Sequence, residues 1–242
     1  MIGKLEIVAD EAALARAAAE HFIAAATAAI RERGRFNVSL AGGSTPKAMY
    51  ALLRESPMRE RVDWESISFY FGDELCVMPD HPDSNYGMAH TELFEPLVLT
   101  EEWVYRIRGE MDPVDAAGEY DDIVKKMLGP SPAFDLIFLG MGPYGHTASL
   151  FPGTLSQIDP DWLVAPIRVE KLNAFRLTLT PRTINGARAI FVVAGGANKA
   201  DALAHVLTGP REPDVYPAQI LHPEHGTLTW LVDRAAAKGL SE

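Results

Sequence analysis

A single imidazole behind a run of glycines carries the clearest chemical potential in this sequence. Residues 134–154 read Phe-Asp-Leu-Ile-Phe-Leu-Gly-Met-Gly-Pro-Tyr-Gly-His-Thr-Ala-Ser-Leu-Phe-Pro-Gly-Thr. The apolar residues Phe134, Leu136, Ile137, Phe138 and Leu139 predict a buried strand, which breaks at Gly140, Gly142, Pro143 and Gly145 before presenting His146. Glycines let a backbone approach a ligand closely, and a histidine can take up and return a proton near neutral pH. A bend at the carboxyl end of a buried strand is where open α/β sheets form ligand crevices. An ordinary strand-to-helix turn with a backbone-bonded histidine would use the same residues, so this segment alone leaves both readings open.

A second candidate is Gly42-Gly43-Ser44-Thr45-Pro46, between a predicted strand and a predicted helix. Ser44 or Thr45 is expected to cap the helix and Pro46 to sit in its first turn. Unpaired N–H groups at a helix start make an anion site. Paired glycines and hydroxyls exceed what a capped turn needs, and favour phosphate. The segment is neither a P-loop nor a G-x-G-x-x-G dinucleotide fingerprint. Asp73 and Glu74 follow a third predicted strand, where catalytic carboxylates occur, although capping or surface roles would use the same pair. Arg176 and Lys199 could complete an anion pocket, but each alone reads as a solvated charge. His222 and His225 flank a proline, which argues for a loop, and lack a nearby third metal ligand. His21, His81, His90 and His205 are expected to be solvated or packed.

The elements that would position these groups alternate. Helices are predicted over 11–33, from the Gly42–Pro46 turn through about 53, and over 85–93, 114–128 and 198–207, and strands over 36–41, 67–71, 134–139, 176–180, 189–194 and 227–232, with a short strand at 104–107. Such alternation predicts βαβ units and a mostly parallel sheet with helices on both faces. No repeat or linker divides the 242 residues, so one domain over 1–242 is expected. Hydrophobic residues at 48% and charged residues at 23% suit a soluble globular chain. The one cysteine, Cys76, cannot form an internal disulfide, which fits a reducing compartment. Met1–Asp10 has no signal-peptide core, and no apolar run reaches the roughly 20 residues that cross a bilayer. A cytoplasmic location, with neither membrane nor nucleic acid as partner, is therefore expected. The net charge of -11 also repels nucleic acid.

In order along nearly the whole chain, the segments 40–46, 69–86, 134–153, 176–180, 195–203 and 217–236 resemble the devB-type 6-phosphogluconolactonases of the glucosamine-6-phosphate isomerase/6-phosphogluconolactonase family. The resemblance implies a Rossmann-like α/β fold of the NagB/RpiA/CoA-transferase-like kind. It implies hydrolysis of 6-phospho-D-glucono-1,5-lactone to 6-phosphogluconate, in the oxidative pentose phosphate pathway, with no metal or organic cofactor. By the same resemblance His146 is the catalytic base and Asp73 the active-site aspartate. Gly42, Gly43, Ser44, Thr45, Arg176 and Lys199 would bind the phosphate. Gly142, Tyr144 and Gly145 would neighbour the active site, and the chain would be a monomer or homodimer.

Two positions depart from the family pattern. Tyr144 replaces the aspartate of Gly-Pro-Asp-Gly-His, and Leu75 replaces the arginine of Asp-Glu-Arg. The first removes a charge beside the histidine, the second a bidentate anion ligand. The expected outcome is a working lactonase with altered kinetics. Two alternatives are an amino-sugar phosphate deaminase or isomerase, which would need a carboxylate near Tyr144, and a sugar-phosphate sensor without catalysis. A nucleotide-dependent oxidoreductase is disfavoured by the missing dinucleotide fingerprint.

Overall fold

A computed structural model describes residues 3–240, so the terminal pairs of the expected 1–242 domain lie outside the described residues. Six strands form a parallel sheet: β1 (Lys4–Val8), β2 (Phe36–Leu40), β3 (Ile67–Phe71), β5 (Leu136–Gly140), β8 (Ala189–Ala194) and β9 (Thr227–Asp233). Their spatial order is β1-β9-β8-β5-β2-β3. Three further strands, β4 (Asp73–Leu75), β6 (Val164–Val169) and β7 (Ala174–Leu179), form an antiparallel sheet in the order β4-β7-β6. The helices are α1 (Glu11–Arg33), α2 (Ser44–Leu53), α3 (Asn85–Ala89), α4 (Pro113–Leu128), α5 (Pro181–Asn185) and α6 (Ala200–Thr208).

The central strands are apolar because both faces are covered. Phe36, Val38 and Leu40 of β2, and Leu136, Ile137, Phe138 and Leu139 of β5, are all buried, as doubly covered parallel sheets require. The 23-residue α1 begins where Asp10 accepts from the Ala13 amide and ends at Gly34 in the left-handed region (φ 78°), the usual glycine stop. Against the sequence expectation, α1 is long and apolar enough to cross a membrane by length and composition. Its Leu14, Ala18, Phe22, Ile23 and Ala26 are instead buried in the core.

Several boundaries differ from the sequence reading. The predicted strand at 176–180 exists as β7, but it belongs to the antiparallel sheet rather than the parallel one. Residues 104–107 form no strand; Val104 makes a single bridge with Phe69. The helix expected over 85–93 is α3 continued by a π-helical turn over His90–Phe94. Lys199 falls in a 3₁₀ turn ahead of α6 rather than inside the helix. The strands β1, β4 and β6 were not anticipated.

Chain order through the large sheet sets the crevice. From β2 the chain adds β3 on one side, then crosses to add β5, β8 and β9 on the other. The direction reverses between β2 and β5, and ligands bind outside the carboxyl ends of strands at such a reversal.

Candidate active site

Four loops meet at this reversal. The segment 41–46 follows β2, 72–75 follows β3, 141–151 follows β5 and 195–199 follows β8. Together with β7 they line one cavity of about 350 Å³. Its wall includes Gly42, Gly43, Ser44, Thr45, Asp73, Gly142, His146, Arg176 and Lys199. Groups separated by more than 150 positions in the chain are thus brought to one place.

At the start of α2, Gly43 has φ 103°, a conformation that favours glycine. Contrary to expectation, neither Ser44 nor Thr45 caps the helix: Gly43 is the N-cap and no side chain bonds the first amides. The hydroxyls and amides at this end therefore remain available to a ligand.

Arg176 reaches the cavity because β7 pairs with β4 in the register Leu75↔Arg176 and Asp73↔Thr178. Its Nε is buried without a hydrogen-bond partner. Lys199 has no ion pair among the described residues, and burial lowers its pKa. Two cations without an ion pair among the described residues thus face one cavity in an acidic chain. Leu75 also lines the wall.

Adjacent carboxylates on a strand point to opposite faces, and Asp73 and Glu74 divide their roles accordingly. Asp73 faces the cavity, where its Oδ2 accepts from Ser149 Oγ at 2.7 Å and its Oδ1 from Asn85 Nδ2 at 3.3 Å. Burial raises the Asp73 pKa, opposed by the Ser149 bond and the Arg176 charge. Glu74 is buried and serves the fold. It accepts from the backbone amides of Leu75, Asn85 and Tyr86, each at 2.8 Å, and from Ser84 Oγ at 3.1 Å. Glu74 thereby fastens the start of α3 to β4.

His146 ends a tight turn in which its carbonyl accepts from the Gly142 amide at 2.9 Å. Gly142 must be glycine, because a Cβ there would fall within the His146 ring. The Nδ1 atom is buried without a partner, leaving Nε2 as the nitrogen open to the cavity. Burial, and then the Lys199 and Arg176 charges, lower the His146 pKa to about 4. The imidazole is therefore neutral at pH 7 and has a lone pair to offer.

Tyr144 and Gly145 do not line the cavity. Gly145 sits in the turn against Tyr216. Tyr144 is 54% exposed, with Lys171 Nζ 3.6 Å above its ring. Among the described residues no group of three or more His, Cys, Asp or Glu could hold a metal ion. His222 instead donates its backbone N–H to Asn185, His21 bonds Glu6, and His205 bonds the Asp201 carbonyl. Sequence reasoning missed Ser149, Asn85 as an Asp73 partner, and Phe151. These contacts join distant segments, and no local signal announces them.

Comparison with known proteins finds relatives over nearly the whole chain. The profile described as glucosamine-6-phosphate isomerases/6-phosphogluconolactonase matches residues 9–230. A 6-phosphogluconolactonase from Haemophilus influenzae is 35% identical over 202 residues, 84% of this chain and 86% of the relative. One from Nostoc sp. is 35% identical over 242 residues, 98% of each chain. Among solved structures, a 6-phosphogluconolactonase from Trypanosoma cruzi superposes with a TM-score of 0.88 at 28% identity, covering 100% of this chain and 99% of that one.

Proposed function

The chain belongs to the glucosamine-6-phosphate isomerase/6-phosphogluconolactonase family, and on that footing we propose that it hydrolyses 6-phospho-D-glucono-1,5-lactone with His146 as the base. The observation that carries this reading is the meeting, in one cavity, of a neutral imidazole, two cations without an ion pair among the described residues and an uncapped helix start. The cations and the α2 amides suit a phosphate, and the imidazole suits a proton transfer some distance from it.

In this reading the phosphate is held between Arg176, Lys199 and the Gly42–Thr45 turn, which fixes the lactone ring over His146. Such orientation is worth several kcal/mol. His146 Nε2 takes a proton from a water as its oxygen bonds to C1. The C1–ring-oxygen bond then breaks, and the imidazolium returns the proton to the departing oxygen. The product is the open acid with a free hydroxyl. General base catalysis of this kind contributes ~100- to 10,000-fold. Asp73, fixed by Ser149 and Asn85, accepts hydrogen bonds from hydroxyls of the sugar. No metal or organic cofactor enters.

The test is proton release on hydrolysis, with the lactone made in situ from glucose 6-phosphate by its dehydrogenase and the spontaneous rate subtracted. Acceleration confined to the phosphorylated lactone, largely lost in His146→Ala, is the expected result. Because the base must be neutral, kcat/KM rises with pH through about 4 and is level towards pH 7. Tight binding of 6-phosphogluconate without acceleration would establish a sensor instead.

A further inference from the structure

His146 is oriented by packing rather than by a polar partner. The ring lies nearly parallel to that of Phe151, with centroids 4.2 Å apart and planes at 18°. Gly142 crowds the Cε1 end of the imidazole so closely that no side chain fits between them. Nδ1, the atom a carboxylate would hold in a hydrogen-bonded triad, is buried with nothing to bond.

Phe151 is itself anchored on two sides. Its backbone amide donates to Thr154 Oγ1 at 3.0 Å, and its carbonyl accepts from that hydroxyl at 2.8 Å. Its side chain packs on Ala165, Ile167 and Val169 of β6. The Arg176 guanidinium carbon stands 6.0 Å from its ring centroid. The aromatic face is therefore backed by the small antiparallel sheet, while Phe151 and the histidine it supports both lie on the loop after β5.

We propose that Phe151 is the positioning residue of His146: its ring face sets the plane of the imidazole and aims Nε2 into the cavity, replacing a carboxylate by stacking. The proposal rests on the reading of His146 as the base. Stacking also keeps water from Nδ1. The charged groups that share the cavity with His146 are Arg176 from β7, Lys199 from the turn before α6, and Asp73 from β4. Burial and the two cations hold the imidazole neutral down to a pH of about 4. Removing the aromatic cover lets water reach the ring and moves its titration upward, while the cations keep it below the ordinary value of about 6.5.

The experiment compares Phe151→Ala, Phe151→Leu and Phe151→Tyr with the unaltered enzyme, reading kcat, KM, the pH profile of kcat/KM and the ring-nitrogen NMR signals of His146. Misorientation in Phe151→Ala lowers kcat by ~10- to 100-fold, with KM within about twofold and the inflection moved up from about 4. Phe151→Leu keeps the ring dry without offering a flat face, so kcat falls while the inflection stays low. Phe151→Tyr retains the face and restores both. Wild-type kcat in Phe151→Leu, with unchanged ring-nitrogen signals, would overturn the proposal even if Phe151→Ala does not fold. His146→Gln run alongside separates the two claims. Turnover surviving there removes the base, whereas the NMR signals of the Phe151 variants still decide what orients the ring.

Discussion

Replacing Arg176 by methionine separates what the fold pays from what the substrate gains. The guanidinium has a buried Nε without an acceptor and no ion pair among the described residues. Methionine has similar reach and carries no charge, so its introduction breaks no ion pair, although it removes the Arg176 attraction felt by Asp73. A guanidinium–phosphate contact consists of charge-assisted hydrogen bonds, each worth about 1.5–3 kcal/mol. Taking about 3 kcal/mol for a two-pronged contact whose halves do not add, kcat/KM for the phosphorylated lactone falls roughly 150-fold. The unphosphorylated lactone, which never uses the contact, loses no more than about twofold. Stability changes little: relief of a partly buried charge is offset by the lost attraction between Arg176 and the buried Asp73 carboxylate, so Tm stays within roughly 2 °C. Parallel initial rates on the two lactones and a thermal melt of each protein measure all three quantities. Equal losses on both substrates would refute the assignment of Arg176 to the phosphate and move it to the reacting end. A large fall in Tm would show that Arg176 serves mainly to stabilise Asp73 in the free protein.

Other perturbations follow from the division of labour around β4 and the glycine-rich turn. Glu74→Ala leaves three backbone amides without their acceptor, so urea unfolding should show a loss of roughly 3–4 kcal/mol; Glu74→Gln, which keeps an acceptor oxygen, should lose less. Tyr144→Ala removes an exposed ring in contact with Lys171 and outside the cavity. Its kcat/KM should stay within about twofold, as for a surface change worth under ~0.5 kcal/mol. A large loss would show that the rim at Tyr144 takes part in binding.

Much of the scaffold was legible because its signals are local. A continuous apolar run such as 134–139 admits few readings other than a buried strand, and an alanine-rich stretch ending at Gly34 is a helix with its stop. The glycine bends after β2 and β5 were visible for the same reason. The small sheet was not, since β4 is only three residues long and its partner β7 lies some 100 positions away. Without that sheet neither Arg176 nor Phe151 has a place at the site. One feature lay closer to reach. Once residues 73–75 are taken as extended, alternation alone sends Asp73 and Glu74 to opposite faces, and only one of them can serve the cavity. Tyr144 shows the converse: its position in the motif suggested a neighbour of His146, but a tight turn of two residues suffices to point it outward.

The departures at Tyr144 and Leu75 bear on each other through electrostatics. A largely buried imidazole with no carboxylate on Nδ1 is a weak base, and nearby cations weaken it further. A third cation at position 75 would add to that burden, since Leu75 pairs directly with Arg176 across the strands. A neutral, apolar residue there leaves the phosphate to Arg176, Lys199 and the α2 amides, and limits the positive field that the histidine must overcome. When a phosphate dianion occupies the cavity it offsets those same two charges. The base is then strengthened by the substrate whose anion is bound, and a lactone without phosphate meets a weaker one. Selectivity for phosphorylated substrate should accordingly be expressed in kcat as well as in KM. A selectivity carried by KM alone would show that the anion site binds without influencing the histidine.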